Sequence, residues 1–387
     1  MSKVKGLFVA SFAVALLCLN IYYTRATDIE GIVVTTEEAL REAVDQNVAV
    51  IIIDGEISLT EEGVEINNGR NITVKGSGTI IVTDAFSHFE IRKGAVLTLE
   101  GEVTLTSESG SLGGGVHIHP QGIFNMYDGI ITANERNGVY VGVATFNMYG
   151  GQIIDNHRPN WRSRAGGGGV EMFAGTFNMH GGLIAYNSAE SSSGGIYALE
   201  STINIYNGEI RDNFIRDERD LHWASSEIYL RESFLIIYDV TLVTSEPIYH
   251  SSSVLVGTNS HFLMNGGHID GTIQTSLDTT ISIISGEVEH VHINTLRDEG
   301  VFIGEEATIN EITQREPDNF FNNNHNNQPN PLTQLSNWML TWPYTTISLV
   351  GIVVSFKLGR MLLFFTQNRT IIAERVSKFQ PEVYSHE

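Results

Sequence analysis

Cysteine is all but missing from this chain: of 387 residues one is Cys, at position 18, inside an apolar N-terminal run. A body without cysteine has no disulfides, no metal–thiolate site and no thiol chemistry. Positive charge is scarce too, with 23 Lys and Arg against 45 Asp and Glu and a formal net charge of −22. Phosphate binding relies on clustered Lys and Arg, so this balance argues against nucleic acid as a partner and disfavours broad contact with anionic lipid. An acidic surface serves solubility and self-repulsion. Proline is limited to 8 residues while glycine reaches 38, the mark of a turn-rich body.

Long apolar runs are confined to the two ends. Lys3 and Lys5 precede the run Leu7–Leu19, and small residues near Ala26 precede a cut at Thr27. Residues 1–26 therefore read as a secretory signal peptide. At the other end, Trp338–Phe356 is a largely apolar stretch that opens on Trp338, Trp342 and Tyr344 and is followed by Lys357 and Arg360. Its length suffices for a transmembrane helix, and its basic flank belongs on the cytoplasmic side. The body then lies outside the cell (extracellular or periplasmic), anchored in the membrane by a single span with residues 357–387 inside. Residues 314–337, rich in Asn and Pro, carry no apolar periodicity and form a linker.

What the middle of the chain does have is one phrase written four times. Phe124-Asn125-Met126-Tyr127, Phe146-Asn147-Met148-Tyr149, Phe177-Asn178-Met179-His180 and Ile203-Asn204-Ile205-Tyr206 are each followed, ten positions after the first residue, by Asn134, Asn156, Asn187 and Asn213. Val139, Val170 and Ile196 sit seven residues ahead of the last three anchors. Alternation puts Phe and Met on one face of a strand and the polar residues on the other. One such unit cannot bury its apolar face, but stacked copies can, each coil pairing with the next at roughly 4.8 Å. The spacings between anchors are 22, 31 and 26 residues, the excess falling between the Asn and the next glycine cluster. A constant framework with elastic loops at one corner is what a solenoid tolerates.

The Gly-x-Phe-x-Met-x-Gly-Gly-x-Ile-x-x-Asn phrase resembles the right-handed parallel β-helix repeats of microbial surface and adhesin-like proteins, a superfold shared with pectate lyases. That resemblance implies an all-β solenoid over residues 27–313. Weaker copies at Val50–Ile53, Ile72–Val74, Val96–Leu99, Leu235–Tyr238, Phe262–Met264, Ile281–Ile284 and Val301–Ile303 bring the count to about ten coils. Thr35 with Glu38 three residues on forms a capping box, and Ala39, Leu40 and Ala43 follow at helical spacing. A short helix here covers the open first coil.

Aligning the coils stacks the outward positions. After the variable loops the column reads His117, Tyr140, Glu171, Tyr197 and Tyr229; after the repeated Asn it reads Tyr127, Tyr149, His180, Tyr206 and Tyr238. Aromatics at one-coil spacing suit stacking on sugar rings or on the apolar part of a partner, and equally brace parallel strands. Loops 157–164 and 214–227 flank the first column and carry Arg158, Trp161, Arg162, Arg164 and Trp223. The expected ligand site is Tyr140, Trp161, Arg162, Glu171, Tyr197, Trp223 and Tyr229, binding a polysaccharide or a cell-surface protein. A β-helix polysaccharide lyase or hydrolase, using Glu171 with Arg164 or Arg231, and a purely structural stalk are the alternatives. Asp155 and Asp212 read as turn residues. His117 with His119, and His290 with His292, alternate on one strand face, but the sequence offers no third ligand, so neither a metal nor a cofactor is expected.

Overall fold

The computed structural model describes residues 31–67, 69–159, 166–216, 225–243, 252–276, 278–293 and 300–314. The signal peptide, Trp161, Arg162 and Trp223, the linker beyond Gln314, the span 338–356 and the tail fall outside these residues. Among the described residues no helix is long and apolar enough to cross a membrane.

Within the described residues the chain is an all-β solenoid whose strands pair only in parallel, each with its counterpart one coil later. Three ladders result. The first runs through Val50–Ile53, Asn71–Gly76, Val96–Leu99, Ile123–Met126, Thr145–Met148, Thr176–Met179, Thr202–Ile205 and Phe234–Ile237. The second runs from Glu56–Leu59 to Thr241–Val243, and the third from Val64–Ile66 to Ser252–Val256. The long strands His261–Thr275, Thr280–Ile293 and Val301–Gln314 each continue all three ladders through a whole coil. Counting the first ladder from Val50 gives eleven coils, close to the sequence estimate.

The anchors stand one above another as the repeat requires. Phe124 faces Phe146, Phe146 faces Phe177, and Phe177 faces Ile203. All four are fully buried, and the phenyl rings stack at 5.2 and 4.8 Å between centroids. The second ladder contributes Leu105, Ile131, Ile153, Ile184 and Ile210 to the same core, and the third Val116, Val139, Val170 and Ile196.

The Asn ten residues past each anchor proves to be a buried ladder of its own. Asn134 Nδ2 donates to Asn156 Oδ1 at 2.8 Å, Asn156 to Asn187 at 2.9 Å and Asn187 to Asn213 at 2.9 Å. Each residue just before it (Ala133, Asp155, Tyr186, Asp212) has positive φ, between 53° and 58°. Left-handed backbone in a non-glycine residue costs on the order of 1 kcal/mol or more. The Asn side chain offsets that cost, because it caps the turn in its own coil and the one before: Asn156 Nδ2 donates to Ile154 O and Ile131 O, and its Oδ1 accepts from Asn134 N. Asp155 and Asp212 are thereby turn residues, as expected.

The helix spans Glu37–Asp45 and buries Leu40, Ala43 and Val44 against the first coil. Its cap is Thr36 rather than Thr35: Thr36 is extended and its hydroxyl accepts from Ala39 N at 3.2 Å. Glu38 is consequently not part of a capping box. Glu37 instead pairs with Arg41 and accepts from Thr60 N and Oγ1, tying the helix to the stack.

Phe146→Ala should cost about 3–5 kcal/mol in chemical denaturation, since the hole lies between two phenyl rings. Asn156→Ala should cost roughly 1–3 kcal/mol by orphaning its neighbours' donors and acceptors. Tyr149→Ala, at the surface, should cost less than about 1 kcal/mol.

Candidate functional site

The third ladder carries the chemistry. Its outward column, in register from coil to coil, is Glu65, Glu90, His117, Tyr140, Glu171, Tyr197 and Tyr229. The neighbouring positions of each strand, such as Val139 and Val141, point inward and are buried. Four of the expected ligand residues (Tyr140, Glu171, Tyr197 and Tyr229) are thus contiguous, while Trp161, Arg162 and Trp223 lie outside the described residues.

They are not the open aromatic row that was expected. Tyr197 is 4 % exposed. The Gly167 backbone lies against that of Tyr197: a Cβ there would come within 2.7 Å of Tyr197 N, so only glycine permits that approach. Tyr229 packs edge-on against Tyr197, with centroids 5.5 Å apart. Burial raises the phenol pKa of both tyrosines. Tyr140 is half-buried, and burial together with the Glu171 charge raises its pKa as well.

Glu171 also has partners already. Arg158 Nε donates to Oε2 at 2.6 Å and Asn137 Nδ2 donates to the same oxygen at 3.2 Å. Arg158 comes from a short extra ladder at the corner, where His157–Arg158, Ser188–Ala189 and Phe214–Ile215 pair in parallel. That ladder gives coils with long insertions a fourth side and holds the guanidinium over the third face. Arg158 and Glu171 are mostly buried, so this pair is a contact shielded from solvent. Arg158 was not one of the expected charge partners; of those, Arg164 lies outside the described residues, and Arg231 is half-exposed and reaches Glu232 at 3.8 Å.

Further along the same face sits a group the sequence reading passed over. Glu90, directly beside His117, faces both His117 and His119, and Arg92 joins them. Burial pushes the Glu90 carboxyl up, but hydrogen bonds and charge from His117 and His119 outweigh it and hold the pKa at about 2. The signal was available: Phe89-Glu90-Ile91 alternates as the other third-ladder strands do. Outside this face, the column Tyr127, Tyr149, His180, Tyr206 and Tyr238 is exposed and stacked ring on ring, at 4.5, 4.9, 4.6 and 5.0 Å. Its ring faces are turned to one another, leaving edges to solvent, and sugar stacking needs faces.

The Asn ladder ends on an acid. Asn213 Nδ2 donates to Glu227 Oε2 inside the stack, and Glu227 is fully buried. Burial pushes its carboxyl well above the ordinary 4.5. A group that keeps its proton longer when folded adds stability that is complete below the unfolded pKa and is lost as pH rises through the folded one. Urea midpoints should therefore fall as pH rises past the ordinary carboxylate range, and Glu227→Gln should flatten that fall. No protein-family model, no curated protein and no solved structure matches the chain.

Proposed function

We propose that this protein is an extracellular binding module: a right-handed β-helix of the microbial-surface type, held at the membrane by residues 338–356, that grips a polysaccharide on its third face. One observation carries this reading. Two outward columns repeat like on like: Asn125, Asn147, Asn178 and Asn204 are joined side chain to side chain, and the Tyr127–Tyr238 spine is stacked on itself. On the third face the column runs Glu, Glu, His, Tyr, Glu, Tyr, Tyr. That column gathers acids, an imidazole and tyrosines on one face, the side chains that hydrogen-bond to a saccharide and stack on it.

A half-buried Tyr140 beside the Arg158–Glu171 pair offers an apolar ring face and charge-assisted hydrogen bonds, the combination that orients a sugar. Tyr197 and Tyr229 act as the floor beneath the corner loops. Trp161, Arg162 and Trp223 belong to those loops by sequence and are assigned to the same ligand on that ground.

A lyase or hydrolase is the second reading, favoured by Glu171 lying within reach of a guanidinium, where a carboxylate base and a charge stabiliser are both at hand. Glycan-array binding by the full chain should fall at least about tenfold in Tyr140→Ala and in Trp161→Ala, with no shortened product. Product formation that is lost in Glu171→Gln would establish the enzyme instead. Indifference to all three substitutions would leave a structural stalk.

A further inference from the structure

From the convergence of Glu90, His117 and His119 we infer a binding site for a divalent transition-metal ion such as Zn²⁺, independent of the saccharide reading. The three come from two adjacent strands of the third ladder, Ser87–Ile91 and Gly114–Ile118, and the residue that follows the second. Glu90 and His117 are register partners, while His117 and His119 are two apart on one strand face. Parallel pairing therefore brings a carboxylate and two imidazoles together with no special loop.

One ligand atom from each residue lies within 4.8 Å of the other two. Glu90 Oε2 is 3.4 Å from His117 Nδ1 and in direct contact with His119 Nε2. Atoms bound to one tetrahedral ion at about 2.0–2.1 Å stand roughly 3.3 Å apart; the Glu90–His117 separation matches this, and the Glu90–His119 contact opens to admit the ion. The rings of His117 and His119 stack at 4.0 Å, and one nitrogen of each faces the Glu90 carboxylate. Tyr140 packs edge-on against His117 at 4.7 Å and fixes that ring from the next coil.

What these atoms attract is already visible. Arg92 brings Nη1 to 2.7 Å from His119 Nε2 and 4.0 Å from Glu90 Oε2. Its Nε meanwhile donates to Glu65 at 3.0 Å. Arg92 is partly exposed and stays anchored to Glu65 if Nη1 withdraws, so an ion takes over the place of a competing cation. Two nitrogens and one carboxylate oxygen favour Zn²⁺ or another first-row ion over Ca²⁺ and Mg²⁺, which prefer all-oxygen sites. Three protein ligands leave further positions for water or for a donor atom of a bound partner. His290 and His292 do not repeat the arrangement: His290 Nε2 lies 3.2 Å from Glu311, and His292 Nδ1 meets Thr313.

Zn²⁺ titration of the untagged full chain by calorimetry tests the assignment, with Co²⁺ absorption as a second readout. One ion per chain is expected. Glu90→Gln, His117→Ala and His119→Ala should each weaken binding by more than about tenfold and abolish the Co²⁺ spectrum. Circular dichroism confirms that each variant folds, and His117→Gln replaces any that does not. His292→Ala should leave affinity unchanged, and Arg92→Ala should leave it unchanged or raise it. No uptake by the native chain, uptake indifferent to the three ligands, loss in Arg92→Ala equal to that in His119→Ala, or displacement of Zn²⁺ by excess Ca²⁺ would each overturn it.

Discussion

The structure depends on exact vertical repetition: each residue of one coil meets its counterpart at roughly 4.8 Å in the next. The constraint selects side chains by how well they stack on themselves. Phe on Phe fills the core without a void, and Asn on Asn passes donor to acceptor indefinitely. Serine does the same at another corner, where Ser201 N donates to Ser233 Oγ and Ser233 N to Ser260 Oγ. Like charges stack badly. Glu65 beside Glu90 is tolerated because Arg92 lies between the two carboxylates.

Repetition also explains where variety is permitted. The turns between the second ladder and the asparagines are held by left-handed residues and buried hydrogen bonds, so their length is constant. Past the asparagine each of these coils keeps a two-residue corner strand, and residues 157–169, 188–195 and 214–224 precede the return of the third ladder. The proposed saccharide site is assigned to this corner because loops there cost the framework little.

Much of this was legible in the residues. Two-residue alternation and the Asn at plus ten disclosed the coil, its inward phenylalanines and its outward tyrosines, because a solenoid writes its period directly into the chain. The Tyr140, Glu171, Tyr197, Tyr229 column followed from the same alignment. Its accessibility did not: Tyr197 is buried, the Gly167 backbone approaches its own, and two-residue strands such as His157–Arg158 leave no periodic trace. Glu90 was missed because its coil lacks the repeated phrase, and the helix cap was displaced by one residue because Glu37 has a tertiary partner in Thr60.

The most direct test of the stack is a distance between spin labels at Tyr127→Cys and Tyr238→Cys in a Cys18→Ser background. These positions share one column and are four coils apart. The account predicts a narrow distribution centred near 20 Å, allowing for label length. A broad distribution, or one centred beyond about 40 Å, would contradict in-register stacking and with it the third face as a continuous surface.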